Sequence, residues 1–244
     1  MEYQNILTKI TDLQTKVEKL RPLDKQQIIE LRNYYKIGLT WTSNALEGNS
    51  LTETETKVAI EDGLTAAGKP LRDYYEAIGH AQAYDFLYEM AKSESFDELQ
   101  IKRLHYLFYK KNDDELAGKY REVRVFISGS RYLTPNPELV SAKMEALVKQ
   151  FGKNPGLHPV EWAAKVHKEF VFIHPFIDGN GRVARLLMNF ALLKSGYAIT
   201  IIPPVKRIEY IHALEKAHTD EQDFLLFIAE SVYQSQLEFV RLMG

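Results

Sequence analysis

Apolar residues recur at spacings of three and four along almost the whole chain, a period that suits helices and little else. Leu7, Ile10, Leu13, Val17 and Leu20 open the pattern, and Arg21-Pro22 interrupts it. A second stretch, from about Lys25 to Glu47, keeps Ile28, Leu31, Tyr35, Leu39 and Ala45 near one face, and Gly48-Asn49-Ser50 reads as its stop. Thr52-Glu53-Thr54-Glu55 then has the form of a capped helix start. Further helices are expected over Arg72–Lys92, Asp97–Lys111, Pro137–Phe151, Pro159–Ile173, Gly179–Ser195, Val205–His218 and Asp220–Met243, about nine or ten in all. One segment breaks the period. Between Glu122 and Thr134, Val123, Val125 and Ile127 alternate with other residues, and Ser128-Gly129-Ser130-Arg131 turns the chain toward Tyr132 and Leu133. This predicts a two-stranded β-hairpin. Such a hairpin is marginal alone, so it is expected as a flap lying on the helical core. The predicted fold is all-α with one short β-hairpin flap.

At 244 residues the chain can form one large domain, or a core with an appended N-terminal segment. The expected division is a helical segment over 1–68 and a core domain over 69–244. A formal charge of -2 provides no global basic field for nucleic acid or anionic membrane. Cysteine is absent, which removes thiolate nucleophiles, disulfides and Cys-based zinc sites. No apolar run approaches the ~18 residues needed to span a bilayer, and the N-terminus lacks the apolar core of a signal peptide. The expectation is a soluble, cytoplasmic protein without nucleic-acid or membrane partners, in which phosphate chemistry would need a local cluster.

Such a cluster exists at His174-Pro175-Phe176-Ile177-Asp178-Gly179-Asn180-Gly181-Arg182-Val183-Ala184-Arg185. Pro175 discourages continuation of the preceding helix, and Gly179 and Gly181 permit positive φ and close approach to a ligand. The following helix starts with free N–H groups that attract anions. His174 can act as a general base near neutral pH. Asp178 is a hard carboxylate suited to Mg²⁺. Arg182 and Arg185, three apart, share a helix face and carry forked donors that match phosphate oxygens. Taken singly, each residue has an ordinary reading as a loop histidine, a helix-entry glycine or a solvated arginine. Turn chemistry alone does not call for all of them together.

The segment HPFIDGNGRVAR resembles the Fic motif, HPFx[D/E]GNGRxxR, at every specified position. The organisation from about residue 70 to 220 is similar to the all-helical Fic core with its flap. The resemblance implies a protein adenylyltransferase using ATP and Mg²⁺. His174 would deprotonate a Ser, Thr or Tyr hydroxyl of a target protein, or of the chain itself, for attack on the α-phosphate. Asp178 would hold Mg²⁺. Gly179, Asn180, Gly181 and Arg182 would hold the phosphates, and Arg185 would reach the γ-phosphate. Phe176 would anchor the motif in the core, and Arg121 would be structural. The flap residues Val125, Phe126, Ile127, Tyr132 and Leu133 would dock an extended target segment. Tyr210 falls where relatives stack an aromatic ring on adenine, although a core tyrosine fits the same stripe. His218 departs from the asparagine that some relatives place against the base.

Ser43-Asn44-Ala45-Leu46-Glu47-Gly48 resembles the inhibitory motif [S/T]xxxE[G/N] of Fic proteins that carry it on an N-terminal helix. Ser43 and Glu47 would then be inhibitory, with Glu47 pairing with Arg185 where the γ-phosphate would sit. Other readings stay open: removal of AMP from a modified protein by the same site, transfer from a different nucleotide donor, or a non-enzymatic interaction module on the helical scaffold. A metal-dependent nuclease fits poorly without a basic patch or a second clustered carboxylate. Asn33-Tyr34-Tyr35 could pack on a partner chain as a homodimer, or into the chain's own core.

Overall fold

The computed structural model describes residues 2–244, which form ten α-helices. These are α1 (Glu2–Lys19), α2 (Lys25–Ala45), α3 (Glu53–Asp62), α4 (Leu71–Met90), α5 (Glu98–Tyr109), α6 (Val140–Phe151), α7 (Pro159–Ile173), α8 (Asn180–Lys194), α9 (Arg207–Lys216) and α10 (Gln222–Met243). Local chemistry sets several starts. Asp24, Thr52 and Asp97 each accept from the backbone of the third helical residue, and that residue's Gln or Glu side chain returns the bond. Single 3₁₀ turns at Pro137–Leu139 and Pro204–Lys206 lead into α6 and α9, where the sequence predicts unbroken helices. α2 stops at Ala45, so Glu47 stands in the turn beyond it rather than on the helix.

The antiparallel pair α7 and α8 forms the centre. Trp162, Val166 and Phe170 of α7 face Leu186, Leu187 and Phe190 of α8, and all are sealed from solvent. α2 and α4 pack on one another and reach α8, whereas α1 lies along α10. Leu7, Ile10 and Val17 therefore join the same apolar core as Phe224 and Phe239. Of the aromatic pair expected to face either the core or a partner, Tyr35 is buried and Tyr34 remains exposed.

The expected β-hairpin is not formed. Among the described residues there is no strand, and 122–135 is an irregular excursion. Its two arms are joined by side chains instead of a ladder. Thr134 Oγ1 donates to Val125 O at 2.7 Å, and Arg121 Nη1 and Nη2 donate to Val123 O (2.9 Å) and Pro135 O (2.7 Å). An isolated two-stranded ladder is marginal in water. Here a guanidinium, which donates in several directions at once, takes carbonyls from both arms.

Two buried histidines make the core sensitive to acid. Burial pushes the imidazoles of His80 and His167 from 6.5 down to about 3, helped by the Arg185 charge near both and by Arg182 near His80. Unfolded, each would take a proton near its ordinary value; folded, neither does until about 3. The unfolded state thus holds more protons in this window, so stability is lost as pH falls from 6.5 toward 3. The expected loss is about 1 kcal/mol per pH unit for each histidine. Urea unfolding midpoints at pH 6 and pH 5 measure it, and equal midpoints would contradict it.

Candidate active site

The loop between α7 and α8 is built around three anchors. The first is the break in α7. His174 adopts φ 52° and ψ 59°, the one positive φ outside glycine among the described residues, and Pro175 follows it. Non-glycine residues held in this region cluster at functional sites. The second anchor is Phe176, fully buried and stacked on His105 at 3.8 Å with an interplanar angle of 4°. His105 Nδ1 accepts from the Gly118 N–H (2.9 Å), so its Nε2–H donates to Asp178 O (3.1 Å). The third is Arg121. Its N–H donates to Pro175 O and its Nε–H to His174 O, each at 2.8 Å, tying the loop to the base of the 122–135 excursion.

Asn180 closes the loop on itself. Phe176 N–H donates to Asn180 Oδ1 (2.9 Å), and Asn180 Nδ2 donates to Phe176 O (2.8 Å). Both polar ends of this side chain are thereby committed to the loop's own backbone. Asn180→Ala would leave a buried N–H and a buried C=O unpaired, and is expected to destabilise the fold by about 2–4 kcal/mol. Urea unfolding checks this; a cost under about 0.5 kcal/mol would mean that the staple contributes little.

His174 has the electronic form a base requires. Its Nδ1 lies 3.3 Å from Val171 O, and since a carbonyl only accepts, Nδ1 carries the proton and Nε2 keeps its lone pair. Burial pushes the imidazole down to about 4; the Val171 bond opposes this and the Arg121 charge reinforces it. At neutral pH the ring is uncharged and ready to accept a proton.

The same loop takes part in a closed ring of charges with α4 and α8. Arg182 Nη1 meets Glu76 Oε1 at 3.0 Å, and its Nη2 meets Asp178 Oδ1 at 3.2 Å. Arg72 bridges the same two carboxylates, Nη2 to Asp178 Oδ2 at 2.7 Å and Nε to Glu76 Oε1 at 3.0 Å. The buried Arg182 guanidinium also lies over the Phe108 ring at 4.2 Å. Sequence reasoning missed Arg72, Glu76 and Asn44, whose Oδ1 accepts from Arg182. The four-residue spacing of Arg72 and Glu76 was visible, but it reads as an ordinary surface helix pair.

Arg185 is buried one turn further along α8. Its Nη2 donates to Glu47 Oε1 (2.7 Å) and Ser43 O (2.8 Å), its Nε to Ser43 Oγ (2.9 Å), and its Nη1 to Tyr210 Oη at 3.5 Å. The Glu47 carboxylate lies against Gly181, where a Cβ would collide with Oε1. A side chain at this position would displace it, so the glycine serves the Glu47 contact directly. Burial acts to raise the Glu47 carboxyl, but Arg185 and then Arg182 outweigh it and hold it below the ordinary carboxylate range. Tyr210 sits in the core, its hydroxyl 2.8 Å from His167 Nε2 and its ring beside Phe224 and Phe227. That is the packing alternative the sequence left open.

Asp178 is the carboxylate carried by the loop itself, and its side chain is 36% exposed. No cluster of three or more acidic, histidine or cysteine side chains suited to a metal occurs among the described residues. One carboxylate suits Mg²⁺ that keeps its waters and takes further oxygens from phosphates. Gly179 (φ 79°) precedes α8, whose first turn carries no side-chain cap from that residue. In the excursion, Phe126 and Leu133 are each 76% exposed. Val125 and Ile127 are partly covered. Tyr132 stacks on His218 at 3.8 Å, which in turn stacks on Phe172 at 3.6 Å. Glu215 accepts from Ser130 Oγ (2.8 Å) and Arg131 N–H (2.7 Å), pinning the tip to α9.

Comparison with known proteins gives a consistent neighbourhood. Residues 95–192 match the Fic/DOC family. The chain is 36% identical over 192 residues to the protein adenylyltransferase Fic of Nematostella vectensis, across 77% of this chain and 44% of that protein. It is 33% identical to protein adenylyltransferase fic-1 of Caenorhabditis elegans, across 76% of this chain and 37% of that one. The chain thus spans less than half the length of these relatives. Among solved structures, Fic-1 (residues 134–508) of C. elegans superposes with a TM-score of 0.89 at 27% identity, covering 99% of this chain and 72% of that one. A Fic domain containing signaling protein of Bacteroides thetaiotaomicron gives 0.86 at 28% identity, covering 96% of both chains.

Proposed function

Since residues 95–192 match the Fic/DOC family, we propose that this chain is a protein adenylyltransferase that moves AMP from ATP to a Ser, Thr or Tyr hydroxyl of a protein, restrained by Glu47. The observation that carries the reading is the neutral His174, with Nε2 free as a base, in the loop that leads into α8. In the reaction, Nε2 takes the proton of the acceptor hydroxyl while its oxygen attacks the α-phosphorus of ATP. The bond from that phosphorus to the bridging oxygen breaks, and pyrophosphate leaves. The first turn of α8 and Arg182 supply N–H donors to the phosphates. Asp178 would hold Mg²⁺, which would offset phosphate charge when bound. To do so Asp178 gives up Arg72 or Arg182, its present partners.

Glu47 supports an autoinhibited state. Arg185 is the natural partner for the terminal phosphate of ATP, and its Nη2 is taken by Glu47 and Ser43. A nucleotide that cannot reach Arg185 sits askew, and misplacement of about 1 Å can cost 10²-fold in rate. The reverse reaction, removal of AMP, remains a second reading. It draws on the 36% exposure of the charged Glu47 side chain, which leaves room for a water beside the carboxylate. Incubation with ATP labelled at either the α- or the γ-phosphate separates the possibilities. Label on protein from the α-position alone is expected. Label from the γ-position would mean phosphate transfer. No label from wild type and Glu47→Gly alike, in proteins that bind ATP, would favour AMP removal.

A further inference from the structure

A cavity lies away from the His174 loop, at the N-terminal half of the same helix whose last turns carry Ser43. It has a volume of about 680 Å³ and is walled by the turn between α1 and α2, by α2, by residues of α4, α8 and α10, and by the stretch just after α8. That size suits a small organic ligand. Leu31, Leu193, Ile199 and Phe239 make the lining largely apolar, and among the described residues its charged members are Arg21 and Arg32. The Arg32 guanidinium lies over the Tyr88 ring at 4.0 Å, and that of Arg21 lies near the Phe239 ring at 5.7 Å. Neither meets a carboxylate among the described residues, and Asp85, one turn before Tyr88, is taken by Lys36 at 2.8 Å. A third lining residue points the same way. Tyr35 is 3% exposed, and its hydroxyl is buried without a hydrogen-bond partner. Leaving such a donor unmade costs about 1–3 kcal/mol, so the group favours an acceptor that enters from outside.

We propose that this cavity binds a small apolar carboxylate, its chain against Leu31, Leu193, Ile199 and Phe239 and its carboxylate between the guanidiniums of Arg21 and Arg32, within reach of Tyr35. The charge assignment follows from the lining, where two guanidiniums stand without a carboxylate. An anionic head satisfies them at short range, and an apolar tail displaces water from the remaining walls. A cationic amphiphile of the same length would meet two like charges.

Calorimetric titration of the whole chain with decanoate tests this at concentrations below aggregation of the probe. One saturable site per chain is expected. Binding should weaken by about tenfold or more in Arg21→Gln and in Arg32→Gln, the loss of one charge-assisted contact. Tyr35→Phe keeps the ring and removes the orphan hydroxyl, so it should bind about fivefold more weakly without loss of thermal stability. Circular dichroism melting confirms that each variant is folded. Absence of saturable binding, equal affinity in both arginine variants and wild type, or equal affinity for decyltrimethylammonium would each overturn the assignment.

Discussion

Replacing Glu47 with glycine is expected to raise transfer of α-phosphate label from ATP to protein by about 100-fold. The change frees Arg185 Nη2 from its 2.7 Å ion pair and opens the space beside Gly181 that the carboxylate now fills. The fold should tolerate it. Breaking a buried ion pair is usually costly because the remaining charge is stranded. Here Arg185 keeps Ser43 Oγ, Ser43 O and Tyr210 Oη, while the Glu47 side chain is already 36% exposed and lies beyond the end of α2. Labelling of wild type and Glu47→Gly side by side, with melting curves for both, is the measurement. A variant no more active than wild type would remove Glu47 from the restraint. Retained folding with raised activity would place the restraint in this one contact.

Loss of the His174 base should be the largest effect in the opposite direction. His174→Ala is expected to lower transfer by 10²–10⁴-fold, the range for a positioned general base, while ATP still binds. The backbone complicates that variant. His174 sits at φ 52°, where alanine pays roughly 1–2 kcal/mol and asparagine is tolerated far better. His174→Asn should therefore be equally inactive but closer to wild type in stability. Rates, nucleotide binding and urea midpoints for both variants separate the chemical role from the conformational one. An Asn variant with normal labelling would exclude His174 as the base, whatever the Ala variant does.

Most helices are legible in the sequence because their causes are local. The three-and-four spacing of Trp162, Val166, Phe170 and Ile173 and the Thr52–Glu55 capping pair act within a few residues of where they stand. The loop from His174 to Arg185 is legible for the same reason, because its glycines, proline, acid and arginines are contiguous. The hairpin expected between Glu122 and Thr134 is absent for a reason no local pattern carries. Its arms are joined through Arg121 and Thr134, and its tip is held by Glu215 from α9, so alternation alone misjudged what would pair with what.

Asn180 shows the same limit inside the motif. Its spacing from Phe176 is visible, but that both its polar ends turn inward is decided by the loop's closure. A helical chain, its main breaks and a compact run of groups fit for phosphate chemistry all follow from residue order. That Arg72 and Glu76 of α4 close a charge ring with Asp178 and Arg182, and that Tyr210 lies in the core against His167, follows from the packing of distant helices. Helix period and capping are written in neighbours. The partner of a buried charge depends on which distant helices pack together, and that choice belongs to the whole core.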